Sequence, residues 1–280
     1  MSGIEVRPIS GALGAEVHGV QLGDPLDNTT MDAIHRAFLD HLVVFFPDQR
    51  LTPDQHKNFA RRFGPIYIHP MVEGMPDHPE IIRVVREPGE RTNWGSKWHM
   101  DGGFAERPPL GTMLHAQQIP PYGSDTMWAN LYLAYDTLSD GLKRTLEGLK
   151  AVHASGAAAR YESKYKGMKA KPAEASQAVH PVIRTHPETG RKCLFVNNDF
   201  MVRFDGMTVE ESRPLMRYLF EHCIRPEFTC RYRWKAGTLA FWDNRCTQHN
   251  AISDYFPSRP ELFDSPRIMH RITIEGDRPV

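Results

Sequence analysis

Lys97-Trp98-His99-Met100-Asp101-Gly102-Gly103-Phe104 is the segment around which the rest of the chain can be laid out. In an extended stretch alternate side chains point the same way, so His99 and Asp101 share one face and Met100 points to the other. An imidazole and a carboxylate so placed can grip one metal ion. A third ligand has to come from elsewhere, and the candidate is His249, in Phe241-Trp242-Asp243-Asn244-Arg245-Cys246-Thr247-Gln248-His249. Two histidines and one carboxylate on one face of a metal leave the opposite positions open, the arrangement diagnostic of non-haem Fe(II) oxygenases. Among 14 histidines and 34 acids such a triplet also arises by chance, so its weight comes from the surrounding sequence.

The bulk composition narrows the function classes. At 280 residues the chain fits a single domain spanning 1–280, and 40% hydrophobic residues suffice for a real core. Thirty-four basic and 34 acidic side chains cancel, so no global field draws the protein to nucleic acid or an anionic membrane, and a small-molecule partner is expected. The four cysteines, Cys193, Cys223, Cys230 and Cys246, form no CxxC pair, which argues against a structural zinc site or a disulfide framework and for a reducing cytoplasm. No apolar run approaches the length of about 18 residues that a membrane span needs. The start of the chain shows no apolar region behind a basic one. A homo-oligomer, dimer or tetramer, is expected.

Outward from the central segment the periodicities alternate between strands and helices. Residues 4–21 suggest short strands joined at glycines. Asn28-Thr29-Thr30 offers caps for a helix carrying Met31, Ile34, Phe38 and Leu42, and Leu42-Val43-Val44-Phe45-Phe46 suits a buried strand. Thr52-Pro53 opens a second helix, expected to end at Gly64. Strands are predicted at Ile81–Val85, Gly111–Gln117, His180–Thr185 with Lys192–Val196, Phe228–Trp234, Thr238–Trp242 and Arg271–Glu275. Ser139 caps a helix with Leu142, Leu146 and Leu149 on one face, and Thr208 with Glu211 forms a capping box for a helix that Pro214 should distort or kink. Residues 155–178, lysine-rich and without a strong period, read as a loop and a possible lid. His153, His180, His186 and His270 are taken as structural, and Trp98 and Trp242 as barrel packing. Strands from both halves with a few helices predict an antiparallel barrel or jelly roll braced by helices on one side, which can hold a small ligand in its mouth.

Three more residues fit a metal site. Arg267 and Arg271 stand in Arg-Ile-Met-His-Arg at the last strand, and Thr126 in Gly-Ser-Asp-Thr-Met-Trp. If the metal is Fe(II) and its cosubstrate a 2-oxo diacid, the far carboxylate needs a fixed cation, and arginine's planar fork suits it.

Taken together, Gly11-Ala-Leu-Gly-Ala-Glu-Val, Phe45-Phe46-Pro47, Phe63-Gly64-Pro65, Trp98-His99-Met100-Asp101, Gly123-Ser-Asp-Thr126, His186-Pro-Glu-Thr-Gly190, Trp242-Asp-Asn-Arg245 and Arg267-Ile-Met-His-Arg271 make the chain resemble the taurine dioxygenase-like (TauD/TfdA) Fe(II)/2-oxoglutarate-dependent dioxygenases. That family also includes alkylsulfatases and aryloxyalkanoate herbicide dioxygenases. The resemblance spans nearly the whole chain. It implies a double-stranded β-helix (jelly-roll, cupin-like) fold, mainly β with flanking helices. It implies His99, Asp101 and His249 as iron ligands, Thr126 and Arg267 on the far carboxylate of 2-oxoglutarate, and O2 as second cosubstrate. It also implies that His69, the Gly102 N–H and Arg271 bind the substrate's anionic end, and Phe104 and Phe200 offer apolar walls. The family's tyrosine and asparagine at the taurine amine are matched here by Val72 and Gly95. The expected reaction is therefore hydroxylation of a small anionic organic molecule other than taurine: a sulfonate, an alkyl sulfate or a carboxylate such as an aryloxyalkanoate. The alternatives are taurine dioxygenase proper and a metal-dependent hydrolase or isomerase with the same three ligands.

Overall fold

The computed structural model describes residues 3–155, 169, 171 and 174–280. The chain is mainly β with added helices. Its largest sheet has seven strands in the spatial order β1 (Glu5–Pro8), β2 (Ala15–His18), β3 (Val43–Phe46), β13 (Leu239–Asp243), β5 (Gly111–Gln118), β15 (Arg267–Ile274) and β4 (Ile82–Arg86). Among the described pairings of this sheet, only β2–β3 is parallel. A smaller antiparallel sheet is built from β12 (Thr229–Tyr232), β6 (Thr126–Asn130) and β14 (Thr247–Ala251). The remaining described strands are β11 (Met201–Phe204), β7 (Lys150–Ala154) and β8 (Gln177–Pro181) in one sheet, and the hairpin of β9 (Ile183–Thr185) with β10 (Lys192–Leu194).

The alternation of side chains across the large sheet divides the apolar residues into two cores. Val43 and Phe45 join Trp128, Tyr232 and Trp242 in one, whereas Val44 and Phe46 join Ile34, Phe38, Phe59 and Phe241 in the other. This two-sided burial is why the run Val43-Val44-Phe45-Phe46 is continuously apolar instead of alternating. The first core lies between the large sheet and the β6 sheet, and there the Phe45 ring stacks on Tyr232 at 3.8 Å and meets the edge of Trp128 at 5.2 Å. The second lies beneath α1 (Asn28–His41) and α2 (Pro53–Ala60), so helices brace one face of the sheet as predicted. Along β15 the same alternation sends Ile272 and Ile274 toward the helices. Arg267, Met269, Arg271 and Thr273 take the opposite parity, which faces the first core.

The other described helices are α3 (Leu131–Asp136), α4 (Asp140–Leu146), α5 (Val209–Cys223) and the short α6 (Pro260–Phe263). Several boundaries differ from the sequence reading. The cap of α1 is Asp27, whose carboxylate accepts the Thr30 N–H, and Asn28 is already helical. Helix α2 ends at Ala60, with turns leading to Gly64. Leu149 lies beyond α4, because the backbone turns extended at Glu147 and left-handed at Gly148. Helix α5 runs through Pro214 as one element: in the second turn the proline loses one backbone bond, and burial of Met216, Leu219 and Cys223 offsets it. Trp98 is half-exposed, whereas Trp242 is 2% exposed and packs as predicted. The candidate lid, residues 155–178, falls largely outside the described residues.

Candidate metal centre

The segment around His99 does not form the strand end that its spacing suggests. It meets β14 through a single antiparallel bridge, in which the His99 N–H donates to the His249 carbonyl at 3.0 Å and the His249 N–H to the His99 carbonyl at 2.8 Å. Two candidate ligands are thus tied to each other through the backbone. Met100 points away into the first core and is fully buried. Asp101 then enters a turn through Gly102, where φ is 59° and a Cβ would lie 2.6 Å from Pro109 Cδ, so only glycine fits.

His99, Asp101 and His249 are buried, with one ligand atom from each lying within 4.8 Å of the others. Asp101 Oδ1 is 3.6 Å from His99 Nε2 and 3.9 Å from His249 Nε2. Metal bonds of about 2.1 Å set neighbouring donors roughly 3 Å apart, so a small contraction closes the cluster around one ion. His99 Nδ1 lies 2.7 Å from the Lys97 carbonyl, which fixes the proton on Nδ1 and turns the Nε2 lone pair inward. Asp101 Oδ2 accepts the Thr112 hydroxyl at 2.7 Å, leaving Oδ1 to face the imidazoles and Arg271, whose Nη2 is 2.9 Å away. Burial alone would raise the Asp101 pKa, but Arg271 and the two imidazoles outweigh it and hold the carboxyl well below its usual range. The donor set, two inward imidazole nitrogens and an ionised oxygen, fits a divalent cation of borderline hardness.

Two adjoining clefts open on this cluster and share Trp94, Gly95, His99, Asp101 and Arg271. The deeper one reaches His249, Thr126 and Arg267. Arg267 is 2% exposed, and its Nε and Nη2 have no hydrogen-bond partner among the described residues. Those two nitrogens form the guanidinium edge that matches a carboxylate, and a buried cation without an anion is strongly unfavourable. Burial also pulls the Arg267 pKa down. Beside it the Trp234 indole N–H donates to Thr126 Oγ1 at 3.0 Å, which leaves the Thr126 hydroxyl proton free to be donated.

The outer cleft is lined by His69, Gly102, Phe104, Phe200 and Arg271. Phe104 and Phe200 meet edge to face at 5.1 Å. The Arg271 guanidinium lies 4.9 Å over the Trp94 ring, and its Nη1 has no partner among the described residues. All ten residues singled out from the sequence therefore line one or other of the two clefts. Sequence reasoning missed Trp94, Thr112 and Asn244. Trp94 lies in an irregular loop without a period to read, Thr112 is a polar residue at a core-facing strand position, and Asn244 stood within the Trp-Asp-Asn-Arg motif without a role.

A second buried group, His186, Asp243 and Cys246, also meets the distance condition for a metal. Its lone pairs are taken. Arg245 donates to Asp243 Oδ1 at 2.8 Å and to Oδ2 at 2.6 Å, and His186 Nε2 donates to Oδ2 at 3.0 Å. His186 Nδ1 accepts the N–H groups of Glu188 and Thr189, and burial keeps the Cys246 thiol protonated. This is a structural ion-pair hub.

Fold and donor set together describe a mainly β protein with two histidines and one carboxylate gathered where they could hold a metal ion. Residues 5–273 match the family described as "Taurine catabolism dioxygenase TauD, TfdA family", and the chain belongs to that family. It is 34% identical over 291 residues to an alpha-ketoglutarate-dependent sulfate ester dioxygenase of Pseudomonas putida, covering 99% of this chain and 91% of that protein. It is 35% identical over 288 residues to an alkylsulfatase of Acinetobacter baylyi, covering 98% and 86%. The crystal structure of a taurine dioxygenase from Burkholderia xenovorans superposes with a TM-score of 0.85 at 38% identity, covering 99% of this chain and 91% of the other.

Proposed function

We propose that this chain is an Fe(II)- and 2-oxoglutarate-dependent dioxygenase that hydroxylates a small anionic organic molecule, with sulfate esters the first class to test and sulfonates and aryloxyalkanoates next. The observation that carries the reading is the unpaired guanidinium edge of Arg267 in a cleft that also holds the His99, Asp101 and His249 cluster. A hydrolase or isomerase with the same ligands has no use for that buried cation. The two facing sheets, with the site between them, fit the double-stranded β-helix expected for this family.

In this reading His99 Nε2, Asp101 Oδ1 and His249 Nε2 hold the metal. Arg267 and the Thr126 hydroxyl take the far carboxylate of 2-oxoglutarate, which orients its other end toward the metal. Arg271, His69 and the Gly102 N–H take the substrate's anionic group, and Phe104 and Phe200 exclude water from its organic part. Bound Fe(II), together with 2-oxoglutarate and O2, supplies an oxidant that replaces a substrate C–H by C–OH, with succinate and CO2 as co-products. If that carbon bears a sulfate ester, the hydroxylated product collapses to a carbonyl compound and sulfate. Taurine is disfavoured because Val72 is 2% exposed within the core and Gly95 has no side chain, so neither meets an amine.

Anaerobic addition of Fe(II) and 2-oxoglutarate should produce a weak visible charge-transfer band in the wild type and none in His99→Ala. In air, an alkyl sulfate should yield succinate and sulfate in equal amounts. Sulfate release without O2 or 2-oxoglutarate, or wild-type succinate formation by His99→Ala, would overturn the proposal.

A further inference from the structure

We infer that Thr112, aimed by Asn244, is a positioning residue that presents a single oxygen of Asp101 to the metal. The inference rests on the metal site proposed above. The chain of hydrogen bonds begins at Trp242, whose indole N–H can only donate. It donates to Asn244 Oδ1 at 3.0 Å, and the Asp101 backbone N–H donates to the same oxygen at 3.3 Å. The other amide atom of Asn244 must then be nitrogen, and Nδ2 donates to Thr112 Oγ1 at 3.0 Å. With an oxygen lone pair so engaged, Thr112 has one proton left to place. Asp101 Oδ2 is 2.7 Å away and the competing acceptor, Thr273 Oγ1, is at 3.4 Å. Each direction is forced by the one before, and the relay ends on the carboxylate.

All the members are buried: Thr112 and Trp242 are no more than 2% exposed, Asn244 1% and Thr273 4%. Thr112 is the cross-strand partner of Trp242 on β13 and of Thr273 on β15, so the relay is fastened to the centre of the large sheet. Within it the two carboxylate oxygens become inequivalent: Oδ2 is held by a hydroxyl, and Oδ1 alone faces the imidazoles. A carboxylate without that restraint can turn and offer both oxygens, occupying a coordination position that a chelating cosubstrate needs. Partners of metal ligands that act in this way typically contribute 10–100-fold in metal affinity.

The test uses Mn(II) alone, titrated by electron paramagnetic resonance without cosubstrate, together with the anaerobic Fe(II)–2-oxoglutarate band. Thr112→Val removes the hydroxyl at nearly constant volume and should weaken Mn(II) binding by roughly 10–100-fold and shift the visible band. Thr112→Ser keeps the hydroxyl and should restore both to near the wild type. If the valine variant does not fold, Thr112→Ala takes its place. A folded variant lacking the hydroxyl with wild-type Mn(II) affinity and an unmoved band overturns the inference. So does a serine variant as impaired as valine, since methyl packing would then be the cause. His99→Ala separates the two levels: unchanged Mn(II) affinity there refutes the metal site itself, whereas loss there with none at Thr112 refutes only the relay.

Discussion

At His69 the location of one proton follows from a backbone contact. The Met71 N–H donates to Nδ1 at 3.1 Å, so the ring proton sits on Nε2 and that N–H is the group available to the outer cleft. Burial, reinforced by the nearby Arg271, pushes the pKa down to about 3, so the ring is neutral near pH 7 and donates without carrying charge. In the proposed site the charge comes from Arg271, with Nη1 unpartnered among the described residues and the Trp94 ring beneath it. Hydrogen bonds to charged groups contribute about 1.5–3 kcal/mol, roughly 10–100-fold in affinity. His69→Ala and Arg271→Ala should each raise the KM for the anionic substrate by about that factor, Arg271 the more, and leave the KM for 2-oxoglutarate nearly unchanged. Steady-state kinetics with each ligand varied in turn would check this, and equal losses for both would show the two arginine roles to be confused. At this scale the sequence was informative where spacing carries chemistry, as in His99-x-Asp101. It was silent on Trp94, whose position over Arg271 depends on a loop pinned by Asn93, which donates to the Ile252 carbonyl and accepts from Tyr255.

Among the elements, caps were the most legible signals because they are local. The Thr208 hydroxyl accepts the Glu211 N–H at 3.2 Å while the Glu211 carboxylate accepts the Thr208 N–H at 2.7 Å, the reciprocal pair that the sequence predicts. The same arrangement opens α2 at Thr52 and Gln55. Replacing such a cap by alanine typically removes about 1 kcal/mol. Thr208→Ala should therefore lower unfolding stability by about that amount in urea melts with turnover unaltered, since α5 packs against β11 and none of its residues lines either cleft. Element ends were less legible wherever a tertiary contact decides them. Leu42 terminates α1 in a left-handed conformation (φ 63°) because its side chain must enter the first core with Val43 and Phe45. The His99 segment reads as a strand by alternation, yet it contributes one bridge because Gly102 turns the chain back beneath Pro109.

For the molecule as a whole, the two-core arrangement was foreshadowed by the apolar run at Val43–Phe46, but the order of strands was not, since β3, β13, β5 and β15 come from distant parts of the chain. Long-range pairing leaves no mark on local periodicity. The cores also bury imidazoles. Burial lowers His153 to about 3 and His270 to about 4. Their unfolded value is about 6.5, so between that value and the folded one the unfolded chain binds more protons. The stabilisation is therefore complete above about pH 6.5 and is lost as the pH falls toward 4, at about 1.4 kcal/mol per unit for the fully buried His153 and by less for the half-buried His270, which solvent screens. Buried carboxylates such as Asp243, held low by Arg245 against the cost of burial, add their own loss only further into acid. Urea midpoints measured from pH 7 to pH 5 should decline, and His153→Phe should shallow the slope. A midpoint independent of pH over that range would refute the account.

The mutual backbone clasp of His99 and His249 has a further consequence. Because the imidazoles sit on chain segments already joined in both directions, whereas His69 and Phe200 hang from connections elsewhere in the chain, between α2 and β4 and between β10 and β11, reactivity and part of the selectivity rest on different mechanical supports. Exchanging those stretches for ones of another shape should redirect the enzyme to a new organic tail while the oxidising end keeps its geometry.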